Sequence, residues 1–60
     1  MWTICVIWED GLWDQEDIKI PDGIIDVEES WIQNWLRGTL LAEEKYSKAI
    51  DIIYWGTHDS

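Results

Sequence analysis

Large apolar side chains alternate along residues 2 to 8, with Trp2, Ile4, Val6 and Trp8 on one side of an extended chain and Cys5 and Ile7 on the other. The period of two and the β-branched and aromatic content predict a strand. The strand runs into Trp8-Glu9-Asp10-Gly11-Leu12-Trp13, where Asp-Gly is a dipeptide favoured at a two-residue type I′ hairpin corner. Such a corner sets Glu9 against Leu12 and Trp8 against Trp13. Strict pairing from it places Ile18 opposite Thr3 and Asp17 opposite Ile4. A bulge near residues 14 to 17, or a longer loop, is then expected to bring Ile18 and Ile20 onto the face of Ile4 and Val6. Ile20-Pro21-Asp22-Gly23 predicts a second turn, with Pro fixing φ and Gly free to take a positive one.

Asp26-Val27-Glu28-Glu29 reads as a helix start, with Asp26 as the cap and glutamates where the macrodipole favours negative charge. Val27, Trp31 and Trp35 then recur every fourth residue beside a row of Ile32 and Leu36, an amphipathic stripe that places Trp31 and Trp35 in the core. Gly38 suggests a stop or a kink, and Thr39 a cap for a second stretch over residues 40 to 48. Residues 49 to 55 return to β character, with Ile50, Ile52 and Tyr54 on one side and Ala49, Ile53 and Trp55 on the other; residues 56 to 60 read as a polar tail. The six-residue corner around Asp10 and Gly11 resembles the turn of tryptophan-zipper hairpins, which implies that its two indoles meet across the strands.

These elements define an α+β fold: a small two-layer ββαβ domain spanning residues 1 to 60, with a three-stranded, mainly antiparallel sheet on one kinked helix or two short helices. Its parts are a hairpin over 2 to 20, a helical region over 27 to 48 and a last strand over 49 to 55. One helical layer covers only one face of the sheet. Apolar residues fall on both faces, so the outer face is expected to be covered by the tail, by a second copy or by a target protein.

Charge sharpens that picture. The 60 residues carry a net charge of −9, and residues 9 to 29 hold nine of the thirteen carboxylates against Lys19 alone, a local net charge of −8. With 47% hydrophobic residues the chain is expected to fold rather than form a disordered acidic tail. One cysteine allows no intrachain disulfide, so the six tryptophans, each able to bury about 150–250 Å², are the expected supplement to a small core. Cys5 has no basic residue near it in the sequence and reads as a small buried hydrophobe. The apolar start lacks a basic flank and meets Glu9-Asp10, so neither a signal peptide nor a membrane span is expected. The unpaired thiol suggests a cytoplasmic, reducing setting.

An acidic surplus disfavours nucleic acid and anionic lipid as direct ligands, because binding either brings like charges together. The carboxylates Glu9, Asp10, Asp14, Glu16 and Asp17 lack the spacing of a calcium loop, and 60 residues hardly enclose the cleft of a carboxylate-pair hydrolase. No phosphate-binding loop or Cys–His pair is present, and His58 lies near the end of the chain. No enzyme activity, metal or cofactor is expected. The expected site is a contact surface for a basic protein partner, formed by Glu9, Asp10, Trp13, Asp14, Glu16 and Asp17, with Trp13 as an apolar anchor ringed by charge.

In size, acidity and element order, the pattern resembles the small acidic proteins that bacteriophages encode to disable host enzymes, including a phage inhibitor of host RNA polymerase. The resemblance implies a non-enzymatic inhibitor, acting in the host cytoplasm, that occludes a basic site on a nucleic-acid-handling enzyme such as RNA polymerase, a nuclease or a CRISPR or restriction effector, in some cases by imitating the charge of DNA. The alternative expectation is a structural or assembly protein that homodimerises through the apolar outer face of its sheet, with the acidic hairpin serving solubility.

Overall fold

The computed structural model describes residues 1 to 24 and 26 to 58; Ile25 and the tail residues Asp59 and Ser60 lie outside them. Strand β1 (Trp2–Trp8) is the central strand, flanked by β2 (Trp13–Ile18) and β3 (Ala49–Thr57) in the order β2-β1-β3, with both pairings antiparallel. Helix α1 (Glu29–Thr39) and a 3₁₀ turn (Glu44–Tyr46) connect β2 to β3. The small α+β architecture is therefore the one the chain's patterning specifies. Its helical region is one helix followed by a single tight turn.

The core lies between α1 and the β1/β3 half of the sheet. Ile4, Val6, Ile52 and Leu36 are fully buried, joined by Trp2, Ile32, Leu40 and Tyr46. Trp2 anchors one end, meeting Trp35 edge-on at 5.7 Å and Tyr54 at 6.3 Å between ring centroids. Both geometries suit the ring quadrupoles. Trp8 anchors the other end, lying nearly parallel to Tyr46 at 6.4 Å.

The hairpin departs from the two-residue corner. Gly11 N–H donates to Trp8 O at 3.0 Å, Trp8 N–H donates to Leu12 O at 2.8 Å, and Gly11 adopts φ +89°. The turn is thus a three-residue loop closed by a left-handed glycine, which advances the register by one. Ile7 faces Trp13 and Trp2 faces Ile18, so Ile18 joins the core side without a bulge at residues 14 to 17. The indoles of Trp8 and Trp13 consequently lie on opposite faces and form no zipper pair. The Pro21-Asp22-Gly23 turn forms, with Ile24 N–H donating to Pro21 O at 3.3 Å and Gly23 at φ +83°.

The helix also differs from its sequence pattern. Asp26 takes a left-handed φ of 56° and caps nothing; α1 begins at Glu29, and the preceding Glu28 makes no side-chain cap. Gly38 lies inside the helix, which continues to Thr39. The buried row is Ile32 and Leu36, while Trp31 is 43% exposed and Trp35 packs from the flank. The fully buried Leu36 shows that the stripe faces the sheet through its aliphatic row, leaving Trp31 outside the core.

In β3, register shifts fall between Ile7/Trp8 and between Thr3/Ile4 of its partner β1. The first leaves Ile50 as an extra residue, 64% exposed, and turns Ala49 toward the core rather than toward the side of Ile53 and Trp55. β3 runs on through Gly56 and Thr57, residues that composition assigns to the tail.

The middle of the free β3 edge is capped by side chains. Gln33 Nε2 donates to Ile52 O at 2.5 Å and Gln33 Oε1 accepts from Tyr54 N–H at 2.8 Å, while Asp51 Oδ1 accepts from Ile52 N–H at 2.8 Å. One helical amide thereby stands in for a neighbouring strand, a means of protecting an edge from pairing. Arg37 reinforces it with a two-point contact to Asp51 at 2.9 and 3.2 Å.

Replacing Leu36 with Ala should cost about 2–5 kcal/mol through lost burial and a residual cavity, whereas Gln33→Ala should cost about 1–2 kcal/mol, from two hydrogen bonds whose backbone partners then face water. Urea denaturation of the two variants checks both the order and the size of the losses.

Candidate protein-binding surface

The one-residue advance at Gly11 decides which way each candidate residue points. Paired residues in an antiparallel ladder share a face. Ile4 faces Glu16 and Val6 faces Asp14, so both carboxylates lie on the helix side of the sheet, whereas Thr3 faces Asp17 and Ile7 faces Trp13, which places those two on the outer side. The acidic set is therefore split across β2 rather than gathered around one indole. Glu9 and Asp10 sit at the exposed hairpin tip.

Each carboxylate has a distinct local role. Asp10 Oδ1 accepts from Leu12 N–H at 3.0 Å and steadies the loop. Asp14 Oδ2 accepts from the Trp8 indole at 2.7 Å, which orients that ring against Tyr46. Glu16 Oε1 accepts from Lys45 Nζ at 3.1 Å and from the Tyr46 hydroxyl at 3.5 Å. The hydrogen bond to Glu16 raises the Lys45 ammonium above its ordinary pKa, and burial pushes the Tyr46 phenol up. Asp17 Oδ1 accepts from Thr3 Oγ1 at 2.9 Å and lies 3.3 Å from His58 Nε2. The hydrogen bond from Thr3, then that from His58, holds the Asp17 carboxyl below the usual carboxylate value.

The outer face carries the exposed apolar surface. Trp13 and Trp55 are 58% and 49% exposed and meet edge-on at 5.7 Å. They belong to the two flanking strands, so their contact must pass over the outer face of β1. Cys5, on that face, is accordingly buried although no helix covers it. Leu12, opposite Trp8 and so toward the helix side, and Ile50 add exposed apolar surface near the hairpin end. Trp55 reaches the indole pair from the second bulge of β3; alternation sets it on the side opposite Ile52 and Tyr54 but does not reveal its contact with Trp13.

Among the described residues, no three carboxylate, histidine or cysteine side chains converge on a site for a metal ion. Among the described residues no helix is long and apolar enough to cross a membrane. A groove beside the hairpin tip, lined by Trp8, Glu9, Asp10, Lys45, Ser47 and Lys48, mixes both signs of charge. The chain matches no protein-family model, no curated protein and no solved structure.

Because Asp17 is deprotonated more readily in the folded chain than in the unfolded one, its contribution to stability is present above the ordinary value of 3.8 and is lost as pH falls through the lower folded value. A carboxyl-carbon NMR titration should place Asp17 below 3.8 in the native protein and move it upward in Thr3→Val.

Proposed function

We propose that this chain is a non-catalytic protein-binding module that docks on a basic protein surface through β2 and the outer face of its sheet. The carrying observation is the exposed Trp13/Trp55 pair beside a strand that places carboxylates on both of its faces. Exposed indoles are suited to act as binding anchors, because a large apolar area is buried at small entropic cost. Carboxylates around them steer a cationic surface and fix its orientation more than they add raw affinity. Strongly basic, concave protein surfaces are characteristic of sites that hold nucleic acid. An inhibitor that occludes such a site on a host enzyme, of the kind phages encode, is the particular role this chemistry supports.

Self-association through the same outer face is the second reading, favoured by the exposure of Trp13 and Trp55 together. It brings two chains of charge −9 into contact and sets Asp17 and Asp51 beside the buried area, so charge opposes it.

Light scattering at low micromolar concentration should give the 7.1 kDa monomer. Pull-down from bacterial lysate should retain a basic protein, with recovery reduced by about tenfold in Trp13→Ala and in the Glu9→Lys/Asp14→Lys double variant, and lost as salt rises to about 0.3 M. A stable dimer of about twice that mass, or recovery indifferent to both charge reversal and salt, contradicts the proposal.

A further inference from the structure

The two edges of the sheet are finished in opposite ways. On β3, both outward backbone groups of Ile52 and the N–H of Tyr54 are taken by Gln33 and Asp51. On β2 the ladder can be followed from Trp8 N–H bonded to Leu12 O. Hydrogen-bonded and non-hydrogen-bonded pairs alternate from there, so Asp14, Glu16 and Ile18 turn their backbone groups toward β1, while Trp13, Gln15 and Asp17 turn theirs outward. Among the described residues none of these outward N–H and C=O groups has a hydrogen-bond partner. Trp13, Gln15 and Asp17 are also exposed.

Resting on the protein-binding reading above, we infer that the β2 edge accepts an extended, lysine- or arginine-bearing segment of the target by strand addition. A fourth strand beside β2, about 4.8 Å away, gains main-chain hydrogen bonds from Trp13, Gln15 and Asp17, the mode in which backbone pairing supplies affinity and flanking side chains supply specificity. Side chains of that strand on the helix side come beside Asp14 and Glu16; those on the outer side come beside Asp17 and Trp13. Carboxylates retain acceptor sites beyond the single bonds they make here, and the Trp13 ring offers its face to a guanidinium or ammonium group. Both rows of the incoming strand therefore meet groups that favour cations.

The same charges argue against a second copy of this chain as occupant. Antiparallel pairing of two β2 strands centred on Gln15 sets Asp14 of one copy against Glu16 of the other, and like charges directly opposite destabilise a ladder. Side-chain caps on Ile52 and Tyr54 obstruct the middle of the β3 edge, whereas among the described residues the outward groups of β2 carry no such caps, so β2 is the side where the sheet grows more readily.

The test uses the isotope-labelled full chain and a synthetic peptide of about ten residues alternating lysine with threonine, titrated by NMR at low salt. Amide exchange at Trp13, Gln15 and Asp17 should slow by at least about tenfold at saturation, with Ile52 and Tyr54 unchanged. A peptide of the same sequence with N-methylated backbone amides should bind at least about tenfold more weakly, as should the original peptide to Gln15→Pro, which removes an outward donor while sparing the bonds to β1. Equal binding by the N-methylated peptide, no binding by the unmodified one, or protection elsewhere than on β2 overturns strand addition. Insensitivity to backbone methylation with salt dependence retained overturns this inference alone; binding equally well by a peptide with glutamate in place of lysine overturns the basic-partner reading as well.

Discussion

A three-stranded sheet served by one helix of 11 residues is the constraint on which the structure depends. Such a helix is about 16 Å long and covers one face of about two strands. α1 lies against β3, and among the described residues every fully buried side chain belongs to β1, β3 or α1. β2 is left as an outrigger, joined to the core chiefly by its ladder to β1 and by Ile18. The outer face and the β2 edge stay open because the described residues supply no second helical layer to close them.

Local devices adapt the rest of the chain to that shortage. Gln33 uses the side of α1 facing β3 to satisfy two outward backbone groups, and Arg37 with Asp51 fastens the same margin. Lys45 and Tyr46, from the turn after the helix, reach across to Glu16 and tie β2 to the helix layer. On the uncovered face the two indoles meet over β1 and shelter Cys5. Part of the acidity is thereby structural: Asp10, Asp14, Glu16 and Asp17 each hold a named partner, yet all remain at or near the surface of one strand and its turn.

Element order was legible because each element has its own local signature: alternation in residues 2 to 8, glycine at both turns, a 3.6-residue stripe in the helix and β-branched density after residue 49. Parity was not. Asp-Gly fits a two-residue corner and equally a three-residue loop ending in a left-handed glycine, and the chain's twist and packing choose the latter. That single step moved Asp14 and Glu16 to the helix side and separated Trp8 from Trp13. The extra residue at Ile50 did the same for Ala49. In the helix, both Trp31 and Leu36 fit the stripe, and the narrow surface of two strands admits the aliphatic row before the indoles. The candidate residues could be listed from sequence, but their division between faces, the Trp55 contact and the Gln33 latch depend on pairings no local window contains.

Native-state amide hydrogen exchange on the free monomer probes the asymmetry of the two edges most directly. The account predicts that Tyr54 and Ile52, on an edge strand but bonded to side chains, exchange slowly, while Gln15 and Asp17, on an edge strand without such bonds, exchange near the rate of exposed amides. Strong protection of Gln15 in a solution shown to be monomeric would contradict it.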